Sequence, residues 1–198
     1  MVNSLSKINR MTDSKNFRKQ FWKDKKMVGA MAPSSKYLAQ KMMQNIDFKS
    51  AEVIVELGPG TGVFTDEIIE KMSDKTHLLV FELNDLFYDS LKKRIDHPRV
   101  HIIHDSAEHI ERYIEEFQLT KADVVVSSLP LAVFSDELRS LVLNASHRSL
   151  KTTGKYIQFQ YSLQAKKLLK NLYDTVNIAF TPLNFPPAFV YTCEKKTK

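Results

Sequence analysis

Cysteine occurs once in the 198 residues, as Cys193, which excludes an intramolecular disulfide and fits a reducing compartment. Tryptophan also occurs once, as Trp22, and glycine only five times, so there is no Gly-rich low-complexity tract. The N-terminus shows no apolar core of roughly 7–15 residues, as a signal peptide would. No run approaches the ~18 consecutive apolar residues that cross a bilayer. Any contact with a membrane would therefore be made from the side. No internal repeat is present. A metal site is not expected either. His101 and His104 lie three apart on one strand and point to opposite faces, with His109 on the helix beyond. Cys193 falls in the last strand with no partner motif and reads as structural.

What is present suits one globular domain with a sizeable core, at 43% hydrophobic and 26% charged residues. The net charge of +6 is unevenly placed. Residues 1–49 hold eleven Lys/Arg against three Asp/Glu, while the remaining 149 hold eighteen against twenty. The N-terminal quarter is thus a basic attachment on a nearly neutral body, and such a patch favours a polyanion, either nucleic acid or anionic lipid. A merely solubilising face is the bland alternative.

In "KNFRKQFWKDKKMVGAM", Phe17, Phe21 and Val28 recur at helical spacing with Trp22 beside them, and Lys25 and Lys26 are among the lysines covering the rest. A basic amphipathic helix of this kind can lie in a membrane interface. It can equally pack on the domain. Gly29 and Pro33 break the pattern. Ser34 and Ser35 then offer a cap for a second amphipathic helix, "SKYLAQKMMQNI".

From residue 52 strand and helix alternate. The strands are "EVIVEL", "HLLVFEL", "VHIIHD", "ADVVVSSL" and "KYIQFQYS", each followed by a helical segment. Lys151–Gly154 read as a turn. The end, "DTVNIAFTPLNFPPAFVYTCEK", reads as two strands with a Pro-rich connection. This order predicts an α/β fold: a Rossmann-like, seven-stranded, mostly parallel sheet with helices on both faces and an antiparallel last strand, preceded by N-terminal amphipathic helices. Residues 1–49 form the basic helical segment for membrane or substrate attachment, and 50–198 the catalytic domain.

"VELGPGTG" joins the first core strand to its helix. Gly58, Gly60 and Gly62 allow a sharp turn and close approach to a ligand. The spacing is neither the dinucleotide G-x-G-x-x-G nor a Walker loop. Glu56 lies near the C-terminal end of that strand. Glu82 ends the second strand in "VFEL", placed to accept ribose hydroxyls. Asp105 ends the third in "IIHDSAEHI". Carboxylates directly after buried strands are costly unless partnered. Three in succession, together with the glycines, point to a ligand rather than to packing.

These motifs resemble those of the class I S-adenosylmethionine-dependent methyltransferases, over about residues 28–194. The resemblance implies S-adenosylmethionine as cofactor. Glu56 and the Gly58–Gly62 loop would hold its methionine part, and Ser34 and Ser35 would lie beside that end. Glu82 would hold the ribose, Leu83 would pack on the adenine, and Asp105 and Ser106 would bind the adenine edge.

Two groups within that class look similar. The ribosomal RNA adenine dimethyltransferases carry Asn-Leu-Pro-Tyr after the fourth strand, where the amide holds the amine and the ring stacks on a flipped base. Here that place reads Ser128-Leu129-Pro130-Leu131. The chain also ends about where their catalytic domain ends, so no small RNA-binding domain is expected. The bacterial phospholipid N-methyltransferases show a Ser-x-Leu-Pro-Leu-type segment there, which Ser127–Leu131 matches. Similar to theirs too are "KKMVGAMAPSSKYLAQKM", preceded by a helix that attaches to the membrane, and "NFPPAFVY". The preferred expectation is therefore stepwise N-methylation of phosphatidylethanolamine towards phosphatidylcholine. It would take place on an anionic or zwitterionic phospholipid surface at the cytoplasmic face of the membrane. The segment Ser127, Ser128, Leu129 and Pro130 would wall the substrate side. Lys25, Lys26 and Lys36 would meet lipid phosphates. Tyr37, Phe134, Tyr161 and Phe185 are candidates to line the methylated ammonium, although each could equally be core. An rRNA adenine N6-methyltransferase, with nucleic acid as partner, is the alternative. A non-catalytic S-adenosylmethionine-binding protein is the third.

Overall fold

A computed structural model describes residues 36–195. Phe17, Phe21, Trp22, Lys25, Lys26, Ser34 and Ser35 lie outside the described residues. The elements run α1 (Lys36–Met43), β1 (Val53–Leu57), α2 (Val63–Lys71), β2 (His77–Phe81), α3 (Asp85–Arg94) and β3 (Val100–Ile103). A 3-10 turn (Ala107–His109), α4 (Ile110–Glu116), β4 (Ala122–Ser127) and α5 (Asp136–Ser149) follow. The chain then forms β5 (Leu150–Gln160), α6 (Ala165–Leu172), β6 (Thr175–Thr181) and β7 (Ala188–Glu194).

The seven strands form one sheet in the order β3-β2-β1-β4-β5-β7-β6. β1 pairs in parallel with β2 and β4, as β2 does with β3 and β4 with β5. β7 runs antiparallel to both β5 and β6. The expected Rossmann-like sheet, mostly parallel with an antiparallel last strand, is thus observed. The strand order reverses between β1 and β4, and in such sheets ligands bind in the crevice outside the strand C-termini at that point.

The central strands are apolar on both faces, as a sheet covered on both sides requires. On one face Val55, Leu57 and Val125 pack with Ile110, Val142, Leu143 and Leu169, from α4, α5 and α6. On the other, Ile54, Leu78, Val80 and Val126 pack with Phe64, Ile68 and Leu91, from α2 and α3. Helix α1 joins this second layer. Its Leu38, Ala39 and Met42 are fully buried. Burying a Leu or Met side chain contributes about 1.5–3 kcal/mol, so α1 is integral to the domain. Asn45, just beyond it, donates from Nδ2 to the Thr192 hydroxyl at 3.0 Å, tying this end of the chain to β7.

One local expectation is corrected. Lys151–Gly154 are not a turn before the strand but lie within β5. Ala122 pairs with Leu150, yet Val124 pairs with Lys155, so β5 bulges across that interval. Gly154 permits the fold-back. A Cβ there would lie 2.9 Å from Leu150 Cδ2 and 3.1 Å from the Ala122 carbonyl oxygen.

Candidate active site

Leu57, Phe81, Ile103 and Ser127 lie in register across four neighbouring strands. The residues just beyond this row therefore share one edge of the sheet, and the motif residues stand there. Ser128 N–H donates to the Leu57 carbonyl at 2.9 Å, and Gly58 N–H to the Phe81 carbonyl at 2.9 Å, so the pairing continues a step into the loops.

The Gly loop needs its glycines. Gly58, Gly60 and Gly62 have φ of 70°, 55° and 87°, the left-handed region that costs other residues about 1–2 kcal/mol. Two of them also lack room. A Cβ on Gly58 would meet Leu129 Cδ2 at 2.8 Å, and one on Gly62 would meet Leu91 Cδ2 at 2.7 Å and the Arg94 guanidinium. Gly60 differs, because a Cβ there would have nothing within 4 Å. Its side of the loop faces open space, and a branched side chain would project into that space. We expect Gly60→Val to leave the thermal transition within a few degrees of wild type, a loss of about 1–2 kcal/mol, and to abolish cofactor binding by calorimetry. Wild-type affinity would contradict this placement of the ligand.

Glu82 is 1% exposed and braces this loop. Its Oε2 accepts from Gly60 N–H at 3.1 Å and its Oε1 from Asn84 N–H at 2.8 Å. Burial raises its pKa, and these amides partly counter that. Each carboxylate oxygen keeps further lone pairs for a ligand.

Glu56 is fully buried, and neither carboxylate oxygen has a hydrogen-bond partner. Burial pushes its pKa up to about 8; the Thr65 hydroxyl opposes this, while the Glu82 charge adds to it. The Thr65 hydroxyl itself lacks a bonded partner. An orphaned buried carboxylate is rare. Here it fits a site awaiting a cationic group, as an amino-acid ammonium would supply.

Asp105 behaves differently. Its carboxylate accepts from Ser106 N–H at 2.7 Å, His109 Nδ1 at 3.1 Å, Arg112 at 2.6 Å and the Tyr113 hydroxyl at 3.2 Å. Burial acts to raise its pKa, but the Ser106 amide and His109 outweigh it and hold the carboxyl below its usual range. It therefore remains ionised and organised by α4. Ser106 is buried beside it, and Leu83 is half-buried, its carbonyl 3.3 Å from His104 Nε2.

The loop after β4 separates the two serines. Ser127 is fully buried, and its hydroxyl accepts from Leu129 N–H at 3.3 Å. Ser128, on the opposite pleat, has a buried hydroxyl with no partner. Leu129 packs against Gly58, and Leu131 is 1% exposed, turned into the core with α4 and α5. The loop's carbonyls are engaged. Gln158 and Gln160 donate to the Leu129 oxygen at 3.1 and 2.9 Å, Val133 N–H to that of Pro130 at 3.1 Å, and Arg139 to that of Leu131 at 3.1 Å. The Tyr156 hydroxyl donates to Gln158 Oε1 at 2.7 Å and completes this buried clamp. Sequence reasoning missed Tyr156, Gln158 and Gln160. The signal was two amides alternating through a central strand, where both faces should be apolar.

The candidate aromatics stand on different elements. Phe134, in the loop between β4 and α5, is half-buried against the core. Tyr161 and Phe185 are exposed on the loops after β5 and β6, and Tyr37 is exposed on α1 beside exposed Lys36. Cys193 is buried, and burial pushes its thiol pKa up to about 12, in keeping with a structural role.

A glycine loop at the switch point, an acid braced at the end of β2 and an orphaned acid in β1 define a class I S-adenosylmethionine-dependent methyltransferase. The chain belongs to the ribosomal RNA adenine dimethylase family, which matches residues 16–171. It is 28% identical over 185 residues to an ornithine lipid N-methyltransferase of Singulisphaera acidiphila, covering 92% of this chain and 96% of that protein. It is 27% identical over 120 residues to the ribosomal RNA small subunit methyltransferase A of Mesomycoplasma hyopneumoniae, covering 61% of this chain but 43% of that protein. Among solved structures, the N-methyltransferase NodS of Bradyrhizobium japonicum, bound to S-adenosyl-l-homocysteine, shares the fold with a TM-score of 0.64 at 9% identity, over 82% of this chain and 89% of that one.

Proposed function

We propose that this methyltransferase transfers the methyl group to the amine of a membrane-lipid headgroup, phosphatidylethanolamine or another aminolipid, at the cytoplasmic membrane surface. The observation that carries the reading is the wall after β4. A flipped adenine needs an amide and a stacking ring. This wall offers the Ser128 hydroxyl as its unpartnered polar side chain, and Leu131 is withdrawn into the core. A small apolar surface with one acceptor suits an aliphatic amine better. The likeness to a lipid N-methyltransferase along nearly the whole of both chains supports it.

The cofactor supplies a methyl group on a positively charged sulfur. Glu56 and the Gly loop would hold its methionine end, Glu82 the ribose, and Asp105 and Ser106 the adenine edge. The Ser128 hydroxyl accepts from the neutral amine and aims its lone pair, and the proton released on methylation passes to water. Catalysis is thus chiefly orientation in a dry cleft. Ser128→Ala should lower kcat about tenfold, the worth of one hydrogen bond, with cofactor affinity unchanged. An unaltered kcat would refute that role.

The test supplies radiolabelled S-adenosylmethionine to the full chain. One arm holds phosphatidylethanolamine vesicles, another ornithine-lipid vesicles and a third ribosomal RNA. Label in either lipid supports the reading, and label in RNA alone overturns it. Removing residues 1–26 should weaken vesicle binding more than cofactor binding, as the basic amphipathic pattern there requires. Unchanged vesicle affinity would mean that this segment is not an attachment.

A further inference from the structure

The rim of the cleft has two unlike halves. Residues 50–135, which build the cofactor half, hold sixteen Asp/Glu and eight Lys/Arg. Residues 136–194, from α5 to β7, hold seven Lys/Arg and four acids, Asp136, Glu137, Asp174 and Glu194. Strands β4, β5 and β6 run in one direction and all end at the edge that carries the site. Their following loops expose large apolar side chains there: Val133 after β4, Tyr161 and Leu163 after β5, and Leu183 and Phe185 in the β6–β7 connection. Leu163, Leu183 and Phe185 are 46%, 63% and 88% exposed.

These loops are tied together. Gln160 at the end of β5 donates to the Leu129 carbonyl of the substrate wall. The Tyr161 hydroxyl pairs with the Asn184 side chain, and the Tyr191 hydroxyl donates to the Ser162 carbonyl at 3.0 Å. Lys166 and Lys167, in the first turn of α6 and three and four residues after Leu163, are exposed. Asp136 and Glu137 stand at the start of α5, after the β4 loop, and Asp136 is bonded by Arg139.

Scattered exposed apolar residues need no explanation, but a tied group of them beside a site does. We propose that the loops after β4, β5 and β6 form a docking rim that inserts its apolar tips into an anionic lipid surface, with Lys166 and Lys167 against the headgroup phosphates. The charge pattern selects this occupant: apolar tips flanked by lysines match the interface of an anionic bilayer. Docking there would present the headgroup amine to Ser128 from the lipid side, while the acidic half stays in water with the cofactor. The proposal rests on the lipid reading of the site and adds a second membrane contact, remote in sequence from the N-terminal segment.

Two measurements test it on the full chain, with vesicles of phosphatidylethanolamine and phosphatidylglycerol. In a W22F/F185W protein the sole tryptophan reports the rim. Its emission should shift to the blue when vesicles are added and be quenched by brominated acyl chains. The L163D/L183D/F185D protein should lose about tenfold or more in vesicle partition, with cofactor affinity and thermal transition unchanged. Unshifted, unquenched emission, absence of vesicle binding or unchanged partition of the triple variant overturns the rim. So does a triple variant that loses self-association or RNA binding instead of vesicle binding. The two readings fail separately. Methylation of dispersed short-chain lipid without insertion refutes only the rim, and insertion without lipid methylation refutes only the proposed acceptor.

Discussion

Glu82→Ala should lower S-adenosylmethionine affinity by about a hundredfold or more while the sheet stays folded. The side chain contributes twice. It accepts from the Gly60 and Asn84 amides at 3.1 and 2.8 Å, fixing the loop that borders the open space, and it is placed to accept the ribose hydroxyls. Hydrogen bonds to a charged group contribute about 1.5–3 kcal/mol each, so losing the ribose pair alone accounts for at least about 3 kcal/mol. Loosening the glycine loop adds to that. Calorimetric titration of the variant checks it. A Kd within about threefold of wild type, less than 1 kcal/mol, would be smaller than one such bond and would remove Glu82 from the site.

Glu56→Gln should change the pH dependence of stability, with the opposite sign to an ordinary carboxylate. The folded protein holds the Glu56 proton up to about pH 8, against 4.5 for the exposed group. Between those values the folded state binds more protons than the unfolded one, so stability falls as pH rises through that window. At pH 8 the cost is about 4 kcal/mol, taking 1.36 kcal/mol per pKa unit. Glutamine carries no such titration. Without cofactor, the variant should gain on wild type steadily from pH 5 to pH 8 in urea unfolding. Burial of Glu82 acts in the same direction in both proteins, so their difference reports Glu56 together with its coupling to Glu82. Parallel pH profiles would show that Glu56 is not proton-bound in its cavity. Binding a cationic ligand reverses the balance. Wild-type affinity for S-adenosylmethionine should rise towards pH 8, as the carboxylate becomes available to the ammonium, and this rise should vanish in the variant.

The frame of the fold was legible because its causes are local. Alternating apolar strands and amphipathic helices force a parallel sheet, and a parallel sheet brings every strand's C-terminus to one edge. The sequence alone therefore places Glu56, Glu82, Asp105 and the three glycines at one edge of the sheet. What escaped depends on contacts between distant segments. The clamp of Tyr156, Gln158 and Gln160 on Leu129 spans about thirty residues and makes sense only once β5 lies beside β4. The unlike roles of Ser127 and Ser128 follow from the pleat, which turns one hydroxyl to its own loop and leaves the other without a partner. Lys151–Gly154 read as a turn because Gly154 permits one, but pairing with β4 drew the segment into a bulged strand. The basic character of the β5–β7 half was hidden by averaging it with the acidic half before it.

The central claim, that a methyltransferase of the adenine dimethylase family acts here on a lipid amine, is tested most directly by competition. Phosphatidylethanolamine vesicles and ribosomal RNA are offered together to the full chain with methyl-labelled S-adenosylmethionine, and the organic and aqueous phases are separated. The account predicts label in the organic phase, on lipids that mass spectrometry shows to carry successive N-methyl groups. Label confined to N6-methyladenine in the aqueous phase would contradict it.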